Sequence, residues 1–162
     1  METNEIPFFQ KVSVSMNLKF PFNVVLRFPG DLEYIPAVRK FVSELLQVSG
    51  FSQKFAYRSE IIVDEICNNA VTYGCDREDS EVELICSLLQ DRIEFTIKDQ
   101  GGEKIHVEKL QAALKTADVT NAEELKRGLG LEIVRMLSES LDVLIDKNNL
   151  TSVHVVRKRE DI

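Results

Sequence analysis

Polar and apolar residues alternate over Ser13–Leu18, which predicts a half-buried strand. The run Phe22–Phe28 (FNVVLRF) predicts a second strand, separated from the first by Pro21. Pro29-Gly30 breaks that run. Asp31 then offers an N-cap for a helix reaching about Val48, with apolar positions Ile35, Val38, Phe41, Val42, Leu45 and Leu46 at helical spacing. Pro36 falls in its first turns, where proline is tolerated. A second helix is predicted over Lys54–Tyr73 and stopped by Gly74. Two strands follow, Val82–Leu89 and Ile93–Lys98, joined around Gln90-Asp91, and Asp99–Gly102 leaves the sheet. Val107–Lys115 reads as a short helix, and Thr116–Lys126 is polar and loosely patterned. Another helix is predicted from near Gly128 to about Ser140, and Leu141–Ile145 with Ser152–Val156 reads as a closing hairpin around Asn148-Asn149. Strands and helices come in clusters and do not strictly alternate. The expected fold class is therefore α+β, a two-layer sandwich of one mixed or antiparallel sheet with helices on one face.

Composition narrows the function classes. The 162 residues suit one domain spanning 1–162, with 1–12 as a candidate flexible tail and enough length to bury a substantial core. A net charge of -7 argues against a nucleic-acid binder that neutralises phosphates. The basic run Arg157-Lys158-Arg159 is short, is followed by Glu160-Asp161, and reads as a solvated strand end. No apolar run is long enough for a bilayer, and Met1–Glu5 lacks the order of a secretion signal, so no membrane role and a cytoplasmic location are expected. Cys67, Cys75 and Cys86 are odd in number without CxxC spacing, which suggests neither a disulfide framework nor a zinc site. His106 and His154 are single and far apart, and a metal role is not expected of either.

Three separated segments carry candidate chemistry. On the predicted second helix, Glu65 and Asn69 share one row and Asp64 and Asn68 an equivalent row on the opposite border of the apolar stripe. A carboxylate one turn from a carboxamide can draw a proton from a hydroxyl and offer an oxygen to Mg²⁺. It can equally be a helix edge facing water. Asp99 followed by Gly101-Gly102 is either a turn or an acid that accepts a hydrogen bond from the exocyclic amine of adenine. Gly128-Leu129-Gly130 at a helix start would present free amides and the positive dipole end to phosphates, with Lys126 and Arg127 adding charge. There is no GxxxxGK[ST] loop, no GxGxxG fingerprint and no HRD or DFG set.

In this order, the segments resemble the GHKL ATPase superfamily, specifically its small bacterial branch of anti-sigma factor serine/threonine kinases. The resemblance runs over nearly the whole chain. The family's Glu-x-x-x-Asn-Ala is matched by Glu65, Asn69 and Ala70, which chooses between the two rows because only Asn69 precedes an alanine. The resemblance implies Glu65 as general base, Asn69 as Mg²⁺ ligand, and Asp99 with Gly101 as the adenine-recognising pair. It further implies Gly128, Leu129 and Gly130 as the phosphate box, Thr151 as the threonine near adenine, and 103–127 as an ATP lid carrying the basic Lys126. Tyr73 stands where the family often has histidine, Glu103 where it has the last glycine of its second motif, and Leu150 where a glycine usually precedes the threonine.

The implied function is an ATP- and Mg²⁺-dependent kinase that binds a sigma factor and phosphorylates a serine or threonine on an anti-sigma factor antagonist. By analogy it acts as a homodimer. The altered second motif and Tyr73 keep a second expectation open, a catalytically weak ATP-binding regulatory module whose nucleotide state controls partner binding. A third is an interaction domain that binds no nucleotide.

Overall fold

A computed structural model describes residues 19–100, 108, 122–148 and 150–160. The expected strand over 13–18 and the expected helix over 107–115 therefore lie outside the described residues, Glu108 aside, as does Gly101. Strand β1 (Phe22–Pro29) is followed by a 3-10 turn at Leu32–Tyr34, in which Asp31 Oδ1 accepts the Glu33 amide at 2.9 Å. Helix α1 (Ile35–Val48) begins there, with Pro36 in its first turn, where a missing N–H leaves no helical bond unmade. Helix α2 (Gln53–Gly74) is capped by Ser52, whose Oγ accepts the Phe55 amide at 3.2 Å. Strands β2 (Glu81–Leu88) and β3 (Arg92–Asp99) form a hairpin. Helix α3 (Ala122–Leu137) leads to strands β4 (Ser140–Ile145) and β5 (Thr151–Lys158). Asp146 Oδ1 organises their turn by accepting the amides of Asn148 and Leu150 at 2.7 and 2.9 Å.

The five strands pair in the order β1-β2-β3-β5-β4, every pair antiparallel. Alternation sends Val82, Leu84, Cys86 and Leu88 of β2, with Ile93, Phe95 and Ile97 of β3, into the core. α2 lies on that face. Its Ile62, Val63, Ile66 and Ala70 join the same apolar cluster, as do Val42 and Leu46 of α1. The opposite face is charged: Glu83 is 2.7 Å from Arg27 and 3.6 Å from Lys98 across neighbouring strands. This is the expected α+β sandwich, with the sheet antiparallel in every described pair.

Two expectations need correcting. The last helix starts at Ala122, six residues before Gly128, and ends at Leu137. Ala122-Glu123-Glu124-Leu125-Lys126 are strong helix formers, and the two acids suit the positive end of the helix dipole. These preferences outweigh the breaking tendency of the glycines, which sit in the helix interior.

Arg157 is not a solvated strand end. It is 2% exposed and donates to Ser59 Oγ at 2.7 Å, to Leu137 O at 3.1 Å and to Phe55 O, with its guanidinium 3.9 Å from the centre of the Phe55 ring. Burial lowers its pKa, opposed by Glu160 at 3.2 Å. The side chain ties the start of α2 to the last carbonyls of α3, where a cation also meets the negative dipole end. Lys158 alone of the three is exposed; Arg159 lies over the Phe51 ring at 4.4 Å.

Candidate active site

The two polar borders of α2 have different surroundings. On one, Arg39 of α1 donates to Asp64 Oδ1 at 3.0 Å and lies 3.8 Å from Glu60, while Asn68 Nδ2 turns back onto the Asp64 carbonyl at 2.7 Å. Those groups are satisfied within the fold. On the other, Glu65 is half-buried against α3, and a Cβ placed on Gly130 would overlap its Oε2. Asn69 Nδ2 is buried with no hydrogen-bond partner among the described residues. A buried amide left unmatched costs free energy, so this edge carries unspent polar capacity toward the side where α3 packs.

The end of α2 meets the end of β3. Asp99 is 8% exposed and lies against Gly74, where a Cβ would overlap the carboxyl atoms. Thr151, the first residue of β5, is its register partner and is also buried. Cys75, next along, packs its thiol against Gly30; burial and then the charges of Asp99 and Asp76 push its pKa up to about 11. A cleft of about 550 Å³ opens at this end of the sheet; it includes Asp99 and Thr151 but is lined largely from the charged face opposite α2, by Arg27, Glu83, Lys98 and Leu144. That is an ordinary size for a small-molecule site. Its lining does not extend to Glu65 or Asn69.

At 1.5 Å per residue, Asn69 lies about 7.5 Å and Glu65 about 13.5 Å along the α2 axis from Gly74. This order of Asp99, Asn69 and Glu65 is one along the helix axis; around it, about 100° per residue sets the Asp99 side of Gly74 about 140° from Asn69 and about 180° from Glu65. Glu65 lies on α2, Gly130 and Asp99 lie against it, and Thr151 is one strand further on as the register partner of Asp99. Lys126, Arg127, Gly128 and Leu129 have helical backbone inside α3, so they do not form a helix start.

Among the described residues, no group of three or more His, Cys, Asp or Glu is placed to hold a metal. An ion that keeps most of its water and takes few protein oxygens, as Mg²⁺ does, needs no such cluster; Asn69 Oδ1 is the oxygen suited to it, while the unmatched Nδ2 is a donor suited to an anionic oxygen such as that of a phosphate. The sequence had marked Gly74 only as a helix stop. Its contact with Asp99 depends on how β3 ends against α2, which local composition does not record.

A family model described as the histidine kinase-like ATPase domain matches residues 28–156, and the chain belongs to that family. Use of ATP follows from membership. Among curated relatives, Serine-protein kinase RsbW of Bacillus licheniformis is 27% identical over 143 residues, covering 86% of this chain and 88% of the relative. Anti-sigma F factor of Clostridium perfringens is 29% identical over 97 residues, covering 59% and 67%. A chain in the crystal structure of the SiaB-SiaC complex from Pseudomonas aeruginosa superposes with a TM-score of 0.62 at 17% identity, covering 81% of this chain and 88% of that one, and shares the fold.

Proposed function

We propose that the chain is an ATP-dependent serine/threonine protein kinase and anti-sigma factor, which binds a sigma factor and phosphorylates an anti-sigma factor antagonist protein. The observation that carries this reading is the ordering along α2: Asp99 against its last residue, Asn69 with an unmatched buried amide, then Glu65 against α3. The names of the curated relatives support the same activity.

Asp99 accepts the exocyclic amine of adenine, with Thr151 beside it and Gly101 allowing close backbone approach. The amide oxygen of Asn69 would hold Mg²⁺, which when bound supplies positive charge to the phosphate oxygens. Glu65 takes the proton from the serine or threonine hydroxyl as its oxygen bonds to the γ-phosphorus. The bond from that phosphorus to the bridging oxygen breaks, and ADP leaves. Lys126, Arg127, Gly128, Leu129 and Gly130 serve the phosphates. Amides in a helix interior are already bonded, so this role requires the first turns of α3 to open when ATP is held. The segment 103–127 is then the lid.

The protein works as a homodimer in the cytoplasm in this reading, without nucleic acid. Among the described residues, no helix is long and apolar enough to cross a membrane.

Labelled ATP and the cognate antagonist test the proposal. Wild type transfers phosphate to a serine or threonine, and Glu65→Gln binds ATP but does not transfer. Absence of transfer by wild type with intact ATP binding would instead favour the regulatory module, and undiminished transfer by Glu65→Gln removes the base assignment.

A further inference from the structure

Gly74 is buried as the last residue of α2, directly against the last residue of β3. A Cβ there would overlap Cγ, Oδ1 and Oδ2 of Asp99 together. Its φ is not positive, unlike that of Gly50 at 82°, so the backbone alone would accept alanine. Alanine would also favour the helix. Glycine is therefore needed at this position for the space beside Asp99, not for a backbone conformation. Across the strand ladder Asp99 is paired with Thr151, which is also buried.

We propose, on the basis of the kinase reading above, that Gly74 is a positioning residue that sets nucleotide specificity. Its missing side chain lets the Asp99 carboxylate sit where it accepts the exocyclic amine of adenine. Guanine presents a carbonyl oxygen at the equivalent ring position, which a carboxylate does not bind, so the seat of Asp99 decides adenine over guanine. Gly130 seats Glu65 in the same manner at the other end of the site. Gly74 then bears on nucleotide affinity, and Gly130, which also belongs to the phosphate box, on transfer rate and affinity together.

The test uses Gly74→Ala, Asp99→Ala and the double variant. In nucleotide-free thermal unfolding, Gly74→Ala lowers Tm when Asp99 is present and leaves it unchanged or raised when Asp99 is alanine. Equal shifts in both backgrounds, or a double variant that fails to fold, overturn the steric contact. In antagonist phosphorylation, Gly74→Ala raises the ATP KM about tenfold, the loss expected for one misplaced hydrogen bond, keeps kcat at saturating ATP, and narrows the preference for ATP over GTP. Folded Gly74→Ala with wild-type KM and preference overturns the proposal while Asp99→Ala still loses preference. If Asp99→Ala itself keeps the preference, the adenine assignment of Asp99 fails, and this proposal fails with it.

Discussion

The two edges of α2 are nearly the same in sequence: Asp64 with Asn68 on one, Glu65 with Asn69 on the other, each an acid four residues before an asparagine. Their fates differ. Asp64 faces α1 and is held by Arg39, and Asn68 spends an N–H on its own helix. Glu65 faces α3 across a glycine, and Asn69 keeps a buried N–H with no partner among the described residues. Spacing makes a pair of side chains available for chemistry; the neighbouring element decides whether they are used up by the fold. An arginine opposite the first edge turns it into a strut, and a glycine opposite the second leaves room beside a carboxylate.

Exchanging charge for its neutral isostere at each edge gives the largest contrast. Glu65→Gln should reduce phosphate transfer by about 10²–10⁴, the ordinary worth of a general base, while Asp64→Asn stays close to wild type in an assay with labelled ATP. Comparable losses from both would mean that α2 is merely perturbed as a whole.

Closing the space at the second edge comes next. A methyl at Gly130 must push Glu65 aside, and a misplacement of about 1 Å can cost up to about 10²-fold in rate. Gly130→Ala should therefore lower kcat, and raise ATP KM as well because Gly130 also serves the phosphates, measured by steady-state transfer.

The strut should matter least. Arg39 and Asp64 are both partly exposed, so Arg39→Ala should cost no more than about 1 kcal/mol in urea unfolding. A much larger loss would make the first edge more than a brace.

A pH measurement sharpens the far end of the site. Cys75, raised to about 11 chiefly by burial and then by Asp99, stays a neutral thiol at pH 8 and should react slowly with iodoacetamide. Removing the negative charge in Asp99→Asn should lower that pKa and speed alkylation. In stability the sign follows from the raised folded value: protection by the neutral buried thiol is intact below about 9, where an unfolded cysteine ionises, and is lost as pH rises toward 11.

The sandwich was legible because its signals are local. The apolar runs of β2 and β3, Gly74 after a helical run, and Asn148-Asn149 between two apolar runs each act over a few residues. The site residues were legible by type and order along the chain, with Asn69 separated from Asn68 only by resemblance and then by packing. The start of α3 is not marked by its two glycines because five strong helix formers precede them and carry the helix through. The burial of Arg157 is not legible because a basic run normally faces water. Its burial needs the Phe55 and Leu137 carbonyls and Ser59, which come from two other elements. The closeness of Gly74 to Asp99 and of Gly130 to Glu65 is likewise tertiary and leaves no mark on either glycine's neighbours.

Titration calorimetry of Mg-ATP onto Asn69→Ala and Asn68→Ala, side by side with wild type, tests the asymmetry of α2 most directly. The account predicts that Asn69→Ala loses most of the binding heat and affinity while Asn68→Ala binds as wild type does. Equal binding by both, or loss confined to Asn68→Ala, would contradict it.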